Sequence, residues 1–245
     1  MIFSLIIASK NEEEDIHLAI ESSINQTYKN KEILVVDDSS DRTREIVNGY
    51  SHKGVRLIKG NNHGCCEARN LGINNSIGDV IVFLTADTIL KPDYLQKISL
   101  EYQDTSLDML TVRSEASNLT NYLARFIDNQ SKKGEDHPHF NPFTTQGYSV
   151  RKKSAKEVGL ISGEPYPFNF CRDWTLGEKL YKNKYNLKHL KGLVVYHKAP
   201  QDLLDYWTVR KTRGLMSAYQ PYYFFGKKLP YLFFKFMVKS LISLF

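Results

Sequence analysis

Cysteine is scarce in this 245-residue sequence, with Cys65, Cys66 and Cys171 as the whole supply. Three such residues make neither a disulfide framework nor a metal-ligand pattern. They are expected as packing residues in a reducing, cytoplasmic setting. No G-x-G-x-x-G and no G-x-x-x-x-G-K-[ST] occurs, which sets aside a dinucleotide fold and a P-loop. Long apolar runs are missing as well. Met1 to Ala8 is apolar but has no basic flank and no cleavage site, so it reads as a first strand and not as a signal peptide. The run after Pro230 is shorter than the ~20 residues a spanning helix needs, and lysines interrupt it. Acidic residues are absent from Tyr206 to Phe245, where Arg210, Lys211, Arg213, Lys227, Lys228, Lys235 and Lys239 lie. Those seven cations exceed the net charge of +6 for the whole chain, so the first 205 residues are close to neutral. A nucleic-acid binder carries its charge on the folded body, and no nucleic-acid partner is expected.

What the sequence does contain is ordinary globular composition, with 24% charged and 42% hydrophobic residues. The length allows one large domain, with or without an appendage. Ile2 to Ala8 reads as a buried strand. Asn11 follows as a helix N-cap, with Glu12, Glu13 and Glu14 filling the first turn. Ile16, Ala19, Ile20 and Ile24 then recur at helical spacing. Glu32 to Val36 is a second strand and Arg42 to Tyr50 a helix. Val55 to Ile58 is a third strand, followed by a loop and helix over Gly64 to Asn75. Asp79 to Leu84 contains the apolar, β-branched run of a fourth strand, which stops at Thr85-Ala86-Asp87, and Pro92-Asp93 begins another helix. This alternation predicts an α/β fold built on a mostly parallel sheet with right-handed crossovers.

Asp38 follows the second strand and Asp87 the fourth. Carboxyl ends of parallel strands form the edge where open α/β sheets bind ligands. Two carboxylates there suit a nucleotide whose base and phosphates lie across that edge. A divalent cation can neutralise a diphosphate without a glycine loop, and oxygen ligands such as Asp87 suit Mg²⁺ or Mn²⁺.

The segments SLIIASKNEEEDI, EILVVDDSSD, GCCEARNLGI and GDVIVFLTADT resemble the family 2 inverting glycosyltransferases of the GT-A fold. GYSVRKKSAKEVGLI and RDWTLGEKLYKNKYNLKHLKGLVVYH are similar to that family's acceptor side. The resemblance spans roughly residues 1 to 200, with a nucleotide-sugar half over 1–112 and an acceptor half over 113–200. It implies that Asp38 contacts the base, that Ala8 and Glu12 line the base and ribose pocket, and that Arg69 sits near the nucleotide. Thr85 and Ala86 would border the donor, Asp87 would ligate the metal, and His197 would add a contact to it. Asp173 falls at the position of the catalytic base. The implied reaction moves a sugar from a UDP- or GDP-sugar to a hydroxyl of a glycan or lipid-linked acceptor, assisted by Mn²⁺ or Mg²⁺.

Three departures from the family pattern stand out. Thr85 replaces the first Asp of D-x-D, leaving one carboxylate. Arg172 stands where Glu often precedes the base; its guanidinium favours an ionised Asp173 or holds an anionic group. Lys10 occupies a position where an aromatic residue often stacks on the base. Simpler readings stand beside these roles: Asp38 and Asp173 as helix caps, His197 as a structural residue, and His137 and His139 as members of a solvated loop. Two other function classes are open, a sugar nucleotidyltransferase and a non-catalytic sugar-nucleotide-binding or membrane-scaffold protein. Residues 201–245 form a separate basic and aromatic segment. Lys228, Lys235, Lys239 and Ser243 mark one helical face, and Phe233, Phe234, Met237, Leu241, Leu244 and Phe245 lie largely away from it. An amphipathic helix in the plane of an anionic membrane surface fits this pattern, with the protein on the inner face of the cell membrane. A buried core helix is the competing reading.

Overall fold

A computed structural model describes residues 1–120, 122–135, 146–161, 174–200, 202–204, 206–208 and 211. Met1–Ala199 and Pro200–Phe245 are two compact units. In the first, seven strands form one sheet in the order β3-β2-β1-β4-β6-β5-β7. They are β1 (Phe3–Ser9), β2 (Lys31–Asp37), β3 (Val55–Lys59), β4 (Val80–Thr85), β5 (Leu107–Ala116), β6 (Ser149–Arg151) and β7 (Asn186–His197). The helices are α1 (Ile16–Ile24), α2 (Thr43–Gly49), α3 (Cys65–Asn75), α4 (Tyr94–Glu101), α5 (Tyr122–Glu135), α6 (Lys152–Glu157) and α7 (Trp174–Lys182). The short β6 runs against β4 and β5, while the other pairings are parallel.

The apolar runs of β1, β2 and β4 arise because these strands are covered on both faces. Side chains alternate across a strand, so neighbouring residues enter different cores. Leu5, Ile7, Val35, Val82 and Leu84 pack with Ile16 and Ile20 of α1 and Tyr94 of α4. Ile6, Val36, Ile81 and Phe83 face the other way and pack with Ile73 of α3 and Leu176 and Leu180 of α7. Burying one such aliphatic side chain stabilises by roughly 1.5–3 kcal/mol. Phe83 is fully buried and stacks at a tilt on Tyr148, 4.9 Å between ring centres. Cutting it to Ala would cost about 3–5 kcal/mol.

The start of α1 differs from expectation. Asn11 is not its cap but sits in left-handed backbone at φ 56°, and the helix opens at Ile16 with Asp15 at its N-cap. Side chains of the next loop satisfy the amides that a cap would have met. Asn11 N donates to Ser39 Oγ at 2.7 Å, Glu12 N to Thr43 Oγ1 at 2.8 Å and Glu13 N to Asp41 Oδ2 at 3.3 Å. In return, Ser40 N donates to Asn11 Oδ1 and Arg42 N to Glu13 Oε2. The β1–α1 and β2–α2 loops are thus stitched together by reciprocal bonds.

Candidate active site

β1 lies between β2 and β4, and the chain passes from one side of β1 to the other after β3. This is a topological switch point, where a crevice opens outside the carboxyl ends of the strands. The parallel arrangement brings the ends of β1, β2, β4, β5 and β7 to the same edge. Asp38, Asp87 and His197 all follow from that one fact.

The two aspartates after Val36 have different tasks. Asp37 is fully buried and accepts from Ser9 Oγ at 2.9 Å and Ser39 Oγ at 2.5 Å, with Arg44 Nη2 3.1 Å from its other oxygen. A charge taken out of water needs such partners, and this one holds the loop in place. Asp38 accepts instead from the backbone of Asn62 at 2.8 Å, in the β3–α3 loop. It does not cap α2, whose N-cap is Arg42. A Cβ at Gly60 would overlap the Asp38 carboxylate, so any larger residue there must push that side chain aside.

Thr85 to Thr88 is a turn closed by Thr88 N donating to Thr85 O at 3.0 Å. Thr85 Oγ1 donates to Asp87 Oδ1 at 2.6 Å, and Ala86 beneath is buried. Beyond the turn, Ile89 pairs with Tyr196 through two backbone bonds of 2.7 and 3.0 Å. That pairing lays the end of β7 against Asp87. Lys198 N donates to Asp87 Oδ2 at 3.1 Å, and His197 Nδ1 lies 3.9 Å from the same oxygen. His197 Nδ1 also sits 3.0 Å from Lys198 O. A carbonyl only accepts, so Nδ1 carries the proton and ligation by His197 would fall to Nε2.

Glu12 is half-buried near Asp87, Asp15 and Asp41, and burial first, then those charges, push its carboxyl up to about 7. Lys198 opposes the shift; its Nζ bonds Asp15 at 2.9 Å, which raises the lysine in turn. Ala8 pairs with Thr85 and Val36 in the sheet. Arg69 is only 3% exposed in α3. Among the described residues, no three His, Cys, Asp or Glu side chains converge on one point as a metal cluster. The set present, one carboxylate with a nearby imidazole, fits a cation that takes its other ligands from waters and a diphosphate, as Mg²⁺ commonly does.

Asp173, Arg172, His137, His139 and the segment 212–245 lie outside the described residues. Of the expected packing cysteines, Cys66 is buried in the core with Ile73 and Phe83, and Cys171 lies outside the described residues. Sequence reading missed Lys198 and Thr88. For Thr88 a signal existed in the T-x-D-T spacing, while nothing local marks Lys198.

The sheet order and the crevice at its switch point define an α/β fold of the GT-A type. Solved structures agree. S. aureus TarS 1-349 in complex with UDP-GlcNAc superposes with a TM-score of 0.65 at 19% identity, covering 89% of this chain and 66% of that one. The mannosyltransferase PcManGT from Pyrobaculum calidifontis, in complex with GDP-Man and Mn²⁺, gives 0.68 at 18% identity, covering 86% and 60%. The Glycosyl transferase family 2 model matches residues 4–158, and the chain belongs to that family. The Escherichia coli enzyme WfaP, a UDP-Glc:alpha-D-GlcNAc-diphosphoundecaprenol beta-1,3-glucosyltransferase, is 40% identical over 88 residues, 35% of each sequence. The chain spans less than half the length of the first curated relatives it matches.

Proposed function

We propose that this chain transfers a sugar, with inversion, from a nucleoside-diphosphate sugar to a hydroxyl of a glycan or lipid-linked acceptor. The observation that carries the reading is the placement of Asp87, held by two hydrogen bonds at the switch point of a family 2 fold. Neighbours whose names include UDP-GlcNAc, GDP-Man and a diphosphoundecaprenol acceptor support a UDP- or GDP-sugar donor and a lipid-linked acceptor.

Asp38, fixed between Asn62 N and Gly60, presents a carboxylate for the base. Glu12 and Ala8 border the ribose, and buried Arg69 supplies positive charge near the nucleotide. Asp87, with His197 through Nε2, would hold Mg²⁺ or Mn²⁺. Such an ion acts as a Lewis acid on the departing diphosphate. Asp173 takes the proton from the acceptor hydroxyl as that oxygen attacks the anomeric carbon from the face opposite the nucleotide. General-base help is typically worth ~10²–10⁴-fold. One displacement with no covalent intermediate inverts the anomeric centre.

The segment 201–245 binds an anionic membrane surface in this reading, on its cytoplasmic side, where a lipid-linked acceptor would be presented. No helix among the described residues is long and apolar enough to cross a membrane. Incubating the full chain with UDP- and GDP-sugars, Mn²⁺ and a lipid-diphosphate glycan acceptor tests the activity. Acceptor-dependent release of free UDP or GDP supports it. Release of sugar 1-phosphate and a nucleoside triphosphate in the presence of pyrophosphate would mark a nucleotidyltransferase instead, and nucleotide binding without turnover a non-catalytic module.

A further inference from the structure

Thr88 is fully buried behind the Asp87 turn and is left without a task by the reaction as described. Its hydroxyl sits in a chain whose proton directions can be worked out. Thr85 N lies 3.1 Å from Thr88 Oγ1 and, as an N–H, can only donate. Thr85 Oγ1 lies 2.6 Å from Asp87 Oδ1, and an ionised carboxylate only accepts. The single proton of Thr85 is therefore committed to Asp87. The remaining 2.7 Å contact between the hydroxyls of Thr85 and Thr88 then has one solution, with Thr88 donating. The order is Thr85 N–H to Thr88 O–H, Thr88 O–H to Thr85 O–H, and Thr85 O–H to Asp87. Each bond polarises the next in a buried chain of this kind.

We propose that Thr88 is a positioning residue for Asp87. It acts through the Thr85 hydroxyl to fix the carboxylate that meets the cation. The inference rests on the metal reading of Asp87 given above. Oδ1 is held by this relay and Oδ2 by the Lys198 amide, which sets the carboxylate plane and leaves each oxygen lone-pair capacity for a cation. Thr85 stands where the family pattern often has a second carboxylate. The loss of that charge makes the orientation of the one remaining carboxylate count for more.

The test titrates Mn²⁺ into the full chain, alone and with UDP or GDP, following free ion by its electron paramagnetic resonance signal; metal-free nucleotide affinity is measured in parallel. Thr88→Val should weaken Mn²⁺ binding about tenfold or more, as loss of a partner to a metal ligand commonly does, while metal-free nucleotide affinity stays unchanged. Thr88→Ser should restore wild-type binding. Thr85→Val should show the same loss, and adding Thr88→Val to it should cause no further loss, because both act along one path. Wild-type Mn²⁺ affinity in Thr88→Val overturns the proposal, as do additive losses or an equal fall in metal-free nucleotide binding. Should Thr88→Val not fold, Thr88→Cys carries the test, since a thiol donates weakly: reduced Mn²⁺ affinity supports the relay and wild-type affinity sinks it. Asp87→Ala separates the two readings. If it leaves Mn²⁺-dependent binding intact, the metal assignment itself is wrong; if it abolishes binding and Thr88→Val does not weaken it, only the relay fails.

Discussion

The backbone amide of Lys198 donates to Oδ2 of Asp87 at 3.1 Å, across 111 residues of sequence. The bond joins the end of β7 to the turn after β4, so both halves of the first unit converge on one carboxylate. Replacing Asp87 by Ala removes the charge and both acceptor oxygens; Asp87→Asn removes the charge and keeps one oxygen, enough for either the Lys198 amide or the Thr85 hydroxyl but not both. Both variants should fold and both should lose Mn²⁺-enhanced nucleotide binding and turnover. An Asp87→Ala protein with normal turnover would rule out a metal at this position.

Glu12 gives the metal-free protein a pH dependence with a definite sign. Its carboxyl is raised from 4.5 to about 7 by burial and by Asp87, Asp15 and Asp41. Between those values the folded state binds more protons than the unfolded one, so this group's contribution is full below 4.5 and is lost as pH rises through about 7. Solvent screening at a half-buried site moderates the effect. Thermal melts in EDTA from about pH 5 to about pH 8 should show the wild type losing more stability than Glu12→Gln as pH rises. Equal slopes for the two proteins would count against the shift.

Gly60→Ala tests the nucleotide pocket without touching a charged group. The added methyl must displace the Asp38 carboxylate, while the β3 strand and its neighbours keep their packing. The protein should melt within a few degrees of wild type yet bind UDP or GDP at least about tenfold more weakly, a loss of ~1.4 kcal/mol. Unchanged nucleotide affinity, checked by calorimetry, would remove Asp38 from the base contact.

Asp173→Asn keeps the shape of the side chain and any capping ability but removes its basicity. We expect kcat to fall about 10²-fold or more with donor affinity nearly unchanged. Retained kcat in Asp173→Asn, with lost stability only in Asp173→Ala, would mark Asp173 as a helix cap.

Vesicle sedimentation probes the segment 201–245. The full chain should pellet with anionic liposomes and less so at high salt, since each Lys or Arg near such a surface contributes roughly 1 kcal/mol. A chain ending near Gln220 should stay in the supernatant. Full-length protein that ignores anionic vesicles, or a shortened one that unfolds, would place the segment in a core.

The first four strands were legible because they lie in a sheet covered on both faces, so Phe3–Ser9 and Val80–Thr85 read as apolar runs. The same logic places Asp38 and Asp87 on one edge. The start of α1 was not legible, since Asn11 to Glu13 look like a cap and first turn until Ser39, Asp41 and Thr43 are seen to bond their amides. Those partners lie about thirty residues away, beyond the reach of local pattern. Nor does the Asp37-Asp38 pair say which carboxylate holds its own loop and which meets the β3–α3 loop; only the Ser9 and Arg44 contacts of the first and the Asn62 contact of the second decide that. Lys198 was hidden for a similar reason, its ion pair with Asp15 spanning 183 positions.

The three-residue strand β6 sits between β4 and β5, and β7 lies beyond β5 at the end of the sheet order. During synthesis, β1 to β4 can assemble as they emerge, since each parallel partner is already on hand. The outer edge of β4 then has nothing to bind until Ser149–Arg151 leaves the ribosome, more than sixty residues later. A nascent chain therefore carries an open, apolar sheet edge for several seconds at ordinary elongation rates of about 5–20 residues per second. That interval is when the protein is most exposed to mispairing with another chain, and its yield in a cell depends on how promptly β6 closes the gap.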